Sequence, residues 1–178
     1  MWHRADVTFT YPEVGATQHG PVPAGYRHVR VRLPLSRGPR PAADLERVGE
    51  LLLTWQVHAA ARIRLDTSAA VAAPGVRVDT RLGVGRLRLH EPCDVVWVER
   101  GPRRAGFGYG TLPGHVLVGE ELFAVERDDA GRLWWVVELF SRPAAAWLRP
   151  FAPALEVFQR SYAAWLARAA RRLLAEAG

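Results

Sequence analysis

Four strand-like runs follow one another after residue 93: "DVVWVER", "AGFGYGTL", "VGEELFAVER" and "RLWWVVELF". The connectors are "GPRR", "PGH" and "DDAG". Connections this short hold turns, and tight turns join antiparallel neighbours, whereas a parallel pair needs a crossover of about a dozen residues or more. The spacing predicts a meander and excludes a βαβ series.

The flanking segments complete this pattern. In "RHVRVRLPL", Val29, Val31, Leu33 and Leu35 point one way and His28, Arg30 and Arg32 the other, as in a strand with one wet face. Residues 76–90 read as a strand pair or one long bent strand, with a parity switch at Gly83 and Gly85 that predicts a bulge or tight turn. Residues 1–25, rich in Gly, Pro and Thr, read as extended with one short strand. Behind Pro41, "AADLERVGELLLTWQVHAAAR" places Leu45, Val48, Leu52, Trp55 and Ala59 on one helical stripe. After "SRPAAAWLRPFAP" a last helix carries Leu155, Phe158, Tyr162, Trp165, Ala169 and Leu173 on its stripe, with its arginines mostly off it. The expected fold class is α+β, over residues 1–178 as a single domain. A curved antiparallel sheet of about six to seven strands grips a long C-terminal helix, because a curved sheet must cover its apolar face.

Composition narrows the function classes. The net charge is +6, and all 24 basic residues are arginine. Lysine and asparagine are absent and Ile63 is the one isoleucine, a pattern that a high-GC coding bias explains. The arginines are spread from Arg4 to Arg172 among acids, which argues against a nucleic-acid track. One cysteine, Cys93, allows no internal disulfide and fits a reducing, cytoplasmic setting. No apolar run approaches the ~20 residues of a membrane span, and the first 20 residues lack the apolar core of a signal peptide.

The glycine-rich stretch "GFGYGTLPGH" invites a nucleotide reading and fails it. The third glycine of G-x-G-x-x-G falls at Thr111, a hairpin follows instead of a helix, and a P-loop needs a lysine. As a strand, it puts Gly106, Gly108 and Gly110 on one face and Phe107, Tyr109 and Thr111 on the other. A bare face has two readings: close packing by another element, or room for a ligand.

Polar candidates sit around that strand. Glu121 shares parity with Phe123 and Val125, so it is the best inward-pointing carboxylate, and Arg142 is expected as its partner. His115 is read as an exposed turn histidine or a proton donor at a pocket rim. Trp55 and His58, three apart, share one helix face. Tyr109, Phe123, Trp135 and Tyr162 are expected to supply apolar wall. "HEPC" gathers His90, Glu91 and Cys93 without zinc spacing, so no metal and no cofactor are expected. Ser36, Ser68, Ser141 and Ser161 lie in no G-x-S-x-G elbow, and no catalytic residue is assigned.

Several stretches together resemble a known family. "TYPEVGAT", "PAGY", the Trp55–His58 pair, "VVWV", "GFGYGTLPGH", "GEELFAVE" and "FSRPA" are similar to an uncharacterised bacterial and plant family known as domain of unknown function nineteen-ninety. "YGTLPGH" followed by "GEE" is the most specific part. That family brings no established function. The element order also resembles the START-like, helix-grip superfamily of birch-pollen-allergen-like proteins, lipid carriers and polyketide cyclases. This resemblance implies an apolar cavity between sheet and helix.

Three functions follow as expectations. The first is binding of a hydrophobic or amphipathic small molecule between the sheet and the last helix. The second is a cyclase- or hydratase-type enzyme in the same pocket, which needs His115 or His58 within reach of Glu121 or Glu138. The third is an arginine-rich interaction or regulatory domain. Whether a reaction is catalysed stays open at this level.

Overall fold

The computed structural model describes residues 8–84 and 87–176, and the side chains of these apart from 81–90 and 152. Element order is α1 (Ala16–His19), β1 (Arg27–Pro34), α2 (Ala42–Leu53), α3 (Gln56–Ala60), β2 (Leu65–Thr67), β3 (Arg77–Val84), β4 (Leu87–Arg100), β5 (Arg104–Thr111), β6 (Leu117–Arg127), β7 (Leu133–Pro143), a 3-10 turn (Ala146–Phe151) and α4 (Ala152–Glu176). The seven strands form one antiparallel sheet in the order β1-β7-β6-β5-β4-β3-β2. The meander of β3 to β7 follows directly from the short connectors, and β1 closes its far edge against β7.

The concave face and the helices share one core. It includes Leu45, Val48, Leu52, Phe107, Phe123, Val125, Trp135, Val137 and Leu166. Rows run across the strands by pairing: Val95, Tyr109, Glu121, Leu139 and Val29 in one, and Phe107, Phe123, Val137 and Val31 in the next. A register shift between Val95 and Trp97 bends β4, so that Val95 joins the inner core while Trp97 packs with Leu122, Ala124 and Val136 on the convex side.

Residues 76–90 resolve into a strand pair, with Val84 opposite Leu87, and β4 continues through Pro92 as one strand to Arg100. The expected switch at Gly85, the side chain of His90 and the first seven residues lie outside what is described.

Three expectations change. The helix after Pro41 breaks at Trp55, which adopts φ 64 and caps α3. Such a conformation is unfavourable for a residue with a side chain, by about 1–2 kcal/mol. Tertiary contacts hold it: the Trp55 indole N–H donates to the Ala69 carbonyl at 3.0 Å, and its ring packs edge-on to Phe107 at 5.3 Å. The stripe of α4 is also rotated. Tyr162 and Ala169 are buried as expected, together with Ala163, Leu166, Ala167, Ala170 and Leu174, while Phe158 and Trp165 keep 48% and 43% of their surface. Small alanines let the helix approach the core closely, and the bulkier rings are left at its flank. Finally, part of the leading segment forms the short helix α1, with no strand among residues 8–25.

Candidate functional site

The site is best built from the two faces of β5 and β6. On the convex face, Glu120 is 2% exposed and collects four donors. The Tyr11 hydroxyl and the Gly15 backbone N–H each donate to Oε2 at 2.7 Å, and the Thr17 N–H donates to Oε1 at 3.0 Å. The Thr17 hydroxyl also donates to Oε1. The Trp97 indole N–H then donates to Thr17 Oγ1 at 3.0 Å. This network fastens the leading segment and α1 to the sheet. It also answers the question of the bare glycine face. A Cβ at Gly108 would run into the Trp97 indole, and one at Gly110 would run into the Tyr11 hydroxyl and come within 2.8 Å of Phe9. Gly108 and Gly110 are scaffold, covered by Trp97 and the leading segment, while a Cβ at Gly106 would run into the Phe123 carbonyl and Ala124 of the neighbouring strand.

A recess of about 310 Å³ lies beside α1 on this face, with Arg30, Arg104, Leu122 and Val136 among its walls. Arg30 lies 3.6 Å from Glu138, which also lines the recess, and Arg104 lies 3.5 Å from Glu99.

The concave face carries a different chemistry. Glu121 sits one residue further along β6, and alternation turns it inward. The Tyr109 hydroxyl donates to Glu121 Oε2 at 3.1 Å. Desolvation pushes the Glu121 carboxyl up to about 7, and the Tyr109 hydrogen bond lowers it by less. Both side chains nevertheless keep some accessible surface. Burial raises the Tyr109 and Tyr162 hydroxyls above their ordinary range, with Glu121 adding to both.

Aromatic rings surround this pair. Tyr109 lies 5.4 Å from Phe123 and 5.9 Å from Phe107, and Phe123 lies 6.4 Å from both Tyr162 and Trp135. His58 enters from α3 with its ring 5.6 Å from Phe123. Burial lowers it to about 4, so it is neutral at pH 7. Its Nδ1 and the Trp135 Nε1 are buried without a protein partner. Orphaned polar atoms are uncommon in a packed interior and mark where a ligand atom or ordered water fits.

Of the residues singled out from sequence, Trp55, His58, Tyr109, Glu121, Phe123, Trp135 and Tyr162 meet in the inner face and its helices. Two do not. Arg142 is corrected: it has the parity of Phe140, not of Glu121, and its guanidinium lies over the Tyr26 ring on the convex side, 5.5 Å from the centroid. His115 is held instead by Glu91. Its Nδ1 accepts the Leu117 N–H at 2.9 Å, which leaves the proton on Nε2, 2.7 Å from Glu91 Oε2. Neither the His58 nor the His115 pairing with Glu121 or Glu138 forms among the described residues; Glu138 lies 2.7 Å from His28 instead. The sequence singles out neither Tyr11 nor Thr17 and leaves Glu120 an ordinary strand carboxylate, because their meeting depends on contacts about a hundred residues apart.

Solved structures share this architecture. A norcoclaurine synthase from Thalictrum flavum aligns with a TM-score of 0.61 at 12% identity, over 85% of this chain and 87% of its own. The allergen Ara h 8.0201 aligns with a TM-score of 0.57 at 13% identity, over 85% of this chain and 99% of its own. The fold is therefore the birch-pollen-allergen-like helix grip expected from the element order. A UPF0548 protein of Deinococcus radiodurans is 34% identical over 173 residues, covering 90% of this chain and 87% of the relative. A UPF0548 protein of Arabidopsis thaliana is 44% identical over 59 residues, covering 30% of this chain and 29% of the relative. The profile of the domain of unknown function DUF1990 matches residues 10–169, and the chain belongs to that family.

Proposed function

We propose that this protein binds a hydrophobic or amphipathic small molecule between the concave sheet face and α4. The observation that carries the reading is the Tyr109–Glu121 pair, set in an aromatic cluster whose Phe123 ring also packs against His58, with the His58 Nδ1 unpartnered. Apolar wall with a few oriented polar atoms is what small-molecule sites require. The helix-grip architecture supports it, and one structural neighbour was solved in complex with dopamine and hydroxybenzaldehyde. No helix among the described residues is long and apolar enough to cross a membrane. A reducing, cytoplasmic setting goes with the single free thiol, Cys93.

The histidine–carboxylate pair that an acid–base enzyme would need in this site does not form among the described residues, and binding is the reading the geometry supports. Native mass spectrometry of the protein purified from its own host tests the binding reading. A co-purifying small molecule, lost on denaturation and reduced in a Tyr162→Ala variant, is expected. A mass equal to the bare chain, with no uptake of added apolar ligands, would sink it.

A further inference from the structure

We infer that the concave site takes a protonated amine carried on an apolar body. The inference rests on the binding reading above and names its ligand class.

The ground is the company Glu121 keeps. Its one hydrogen-bond partner among the described residues is the Tyr109 hydroxyl, which occupies Oε2 and leaves Oε1 for a ligand. Glu121 is among the groups that raise Tyr109 on β5, Cys93 on β4 and Tyr162 on α4, and none of these is a cation. His58 on α3 is neutral at pH 7. Arg142 faces the other way, over Tyr26. Arg27, at the α4 end of β1, lies 3.6 Å from Glu156. A chain with 24 basic residues and net charge +6 thus places none of its described arginines beside this carboxylate.

Buried carboxylates are costly unless a cation or several donors compensate them. Glu120, next in sequence, has four donors; Glu121 has one. An ammonium supplies both the missing charge and a donor to Oε1. The surroundings suit it as well, because Tyr109, Phe123 and Tyr162 cluster about the pair and aromatic rings attract a cation. Entry of the cation favours the ionised carboxylate, so the Glu121 proton leaves to solvent as the amine binds.

Isothermal titration calorimetry on the full chain at pH 7, in two buffers of different ionisation enthalpy, tests this with a matched pair of probes, phenylbutylamine and phenylbutanol. The amine is expected to bind about tenfold or more tighter than the alcohol, as a charge-assisted contact in a desolvated site does. It should also release about half a proton per ligand, because the carboxyl titrates near 7. In Glu121→Gln the preference for the amine over the alcohol should vanish. Equal affinities in the parent chain overturn the inference, as does an amine preference that survives Glu121→Gln. If neither probe binds, the small-molecule site itself falls along with its ligand class.

Discussion

Glu120 and Glu121 are neighbours in sequence and opposites in circumstance. Strand alternation sends the first to the convex face and the second to the concave one. Glu120 is fully compensated: Tyr11, Gly15 and Thr17 converge on it from about a hundred residues away and close a network that pins α1 to the sheet. Glu121 is compensated by Tyr109 alone, and burial pushes its carboxyl up to about 7. The same functional group is scaffold on one side and an unmet demand on the other. The proposed binding site and the network that fastens the leading segment thus lie on separate faces of one sheet.

The contrast can be broken by substitution, and the largest effect is expected at Glu120. Glu120→Ala leaves two backbone N–H groups and two hydroxyls without their acceptor, and should cost about 3–5 kcal/mol in urea unfolding. A loss below about 1 kcal/mol would mean that the leading segment is not held by this carboxylate.

Glu121→Gln should act in the opposite direction. The carboxyl stays protonated in the fold up to about 7, while its ordinary value is 4.5. Between those values the folded state holds more protons than the unfolded chain, so stability falls as pH rises through the window. The glutamine removes that slope. The variant should match the parent below pH 4.5 and exceed it above pH 7, by on the order of 3 kcal/mol. Unfolding curves collected at pH 4, 6 and 8 check the sign.

Gly110→Ala tests the convex face from its other side. The new methyl meets the Tyr11 hydroxyl and Phe9. Overpacking of this kind costs about 1–3 kcal/mol, read as a lowered urea midpoint. The smallest effect is expected for Tyr109→Phe, about 1 kcal/mol for one lost hydrogen bond. Its sharper readout is the Glu121 carboxyl followed by carbon-13 NMR, which should titrate higher than in the parent because the bond that lowers it is gone.

Much of this division is legible in the sequence where the physics is local. Turn lengths declare the meander, and parity alone turns Glu121 inward beside Phe123 and Val125. Where distant contacts decide, the sequence is silent. The break at Trp55 depends on the Ala69 carbonyl and the Phe107 ring, neither of which is a helix-stop signal. The glycine face shows that something packs closely without saying what. Arg142 reads as a partner for Glu121 only if parity along β7 is ignored, since Leu139 and Ser141, not Arg142, share the row spacing of the inner face. In α4 a hydrophobicity stripe favours Phe158 and Trp165, while the core takes Ala163, Ala167 and Ala170 because they are small.

The assignment of binding to the concave face is tested most directly by intermolecular NOEs between a neutral amphipathic probe, naphthol, and the aromatic side chains. The expected result is a set of NOEs to the rings of Tyr109, Phe123 and Tyr162, with none to Phe9 or Tyr11. NOEs to Phe9 and Tyr11 instead, or none to any of these rings at saturating probe, would contradict it.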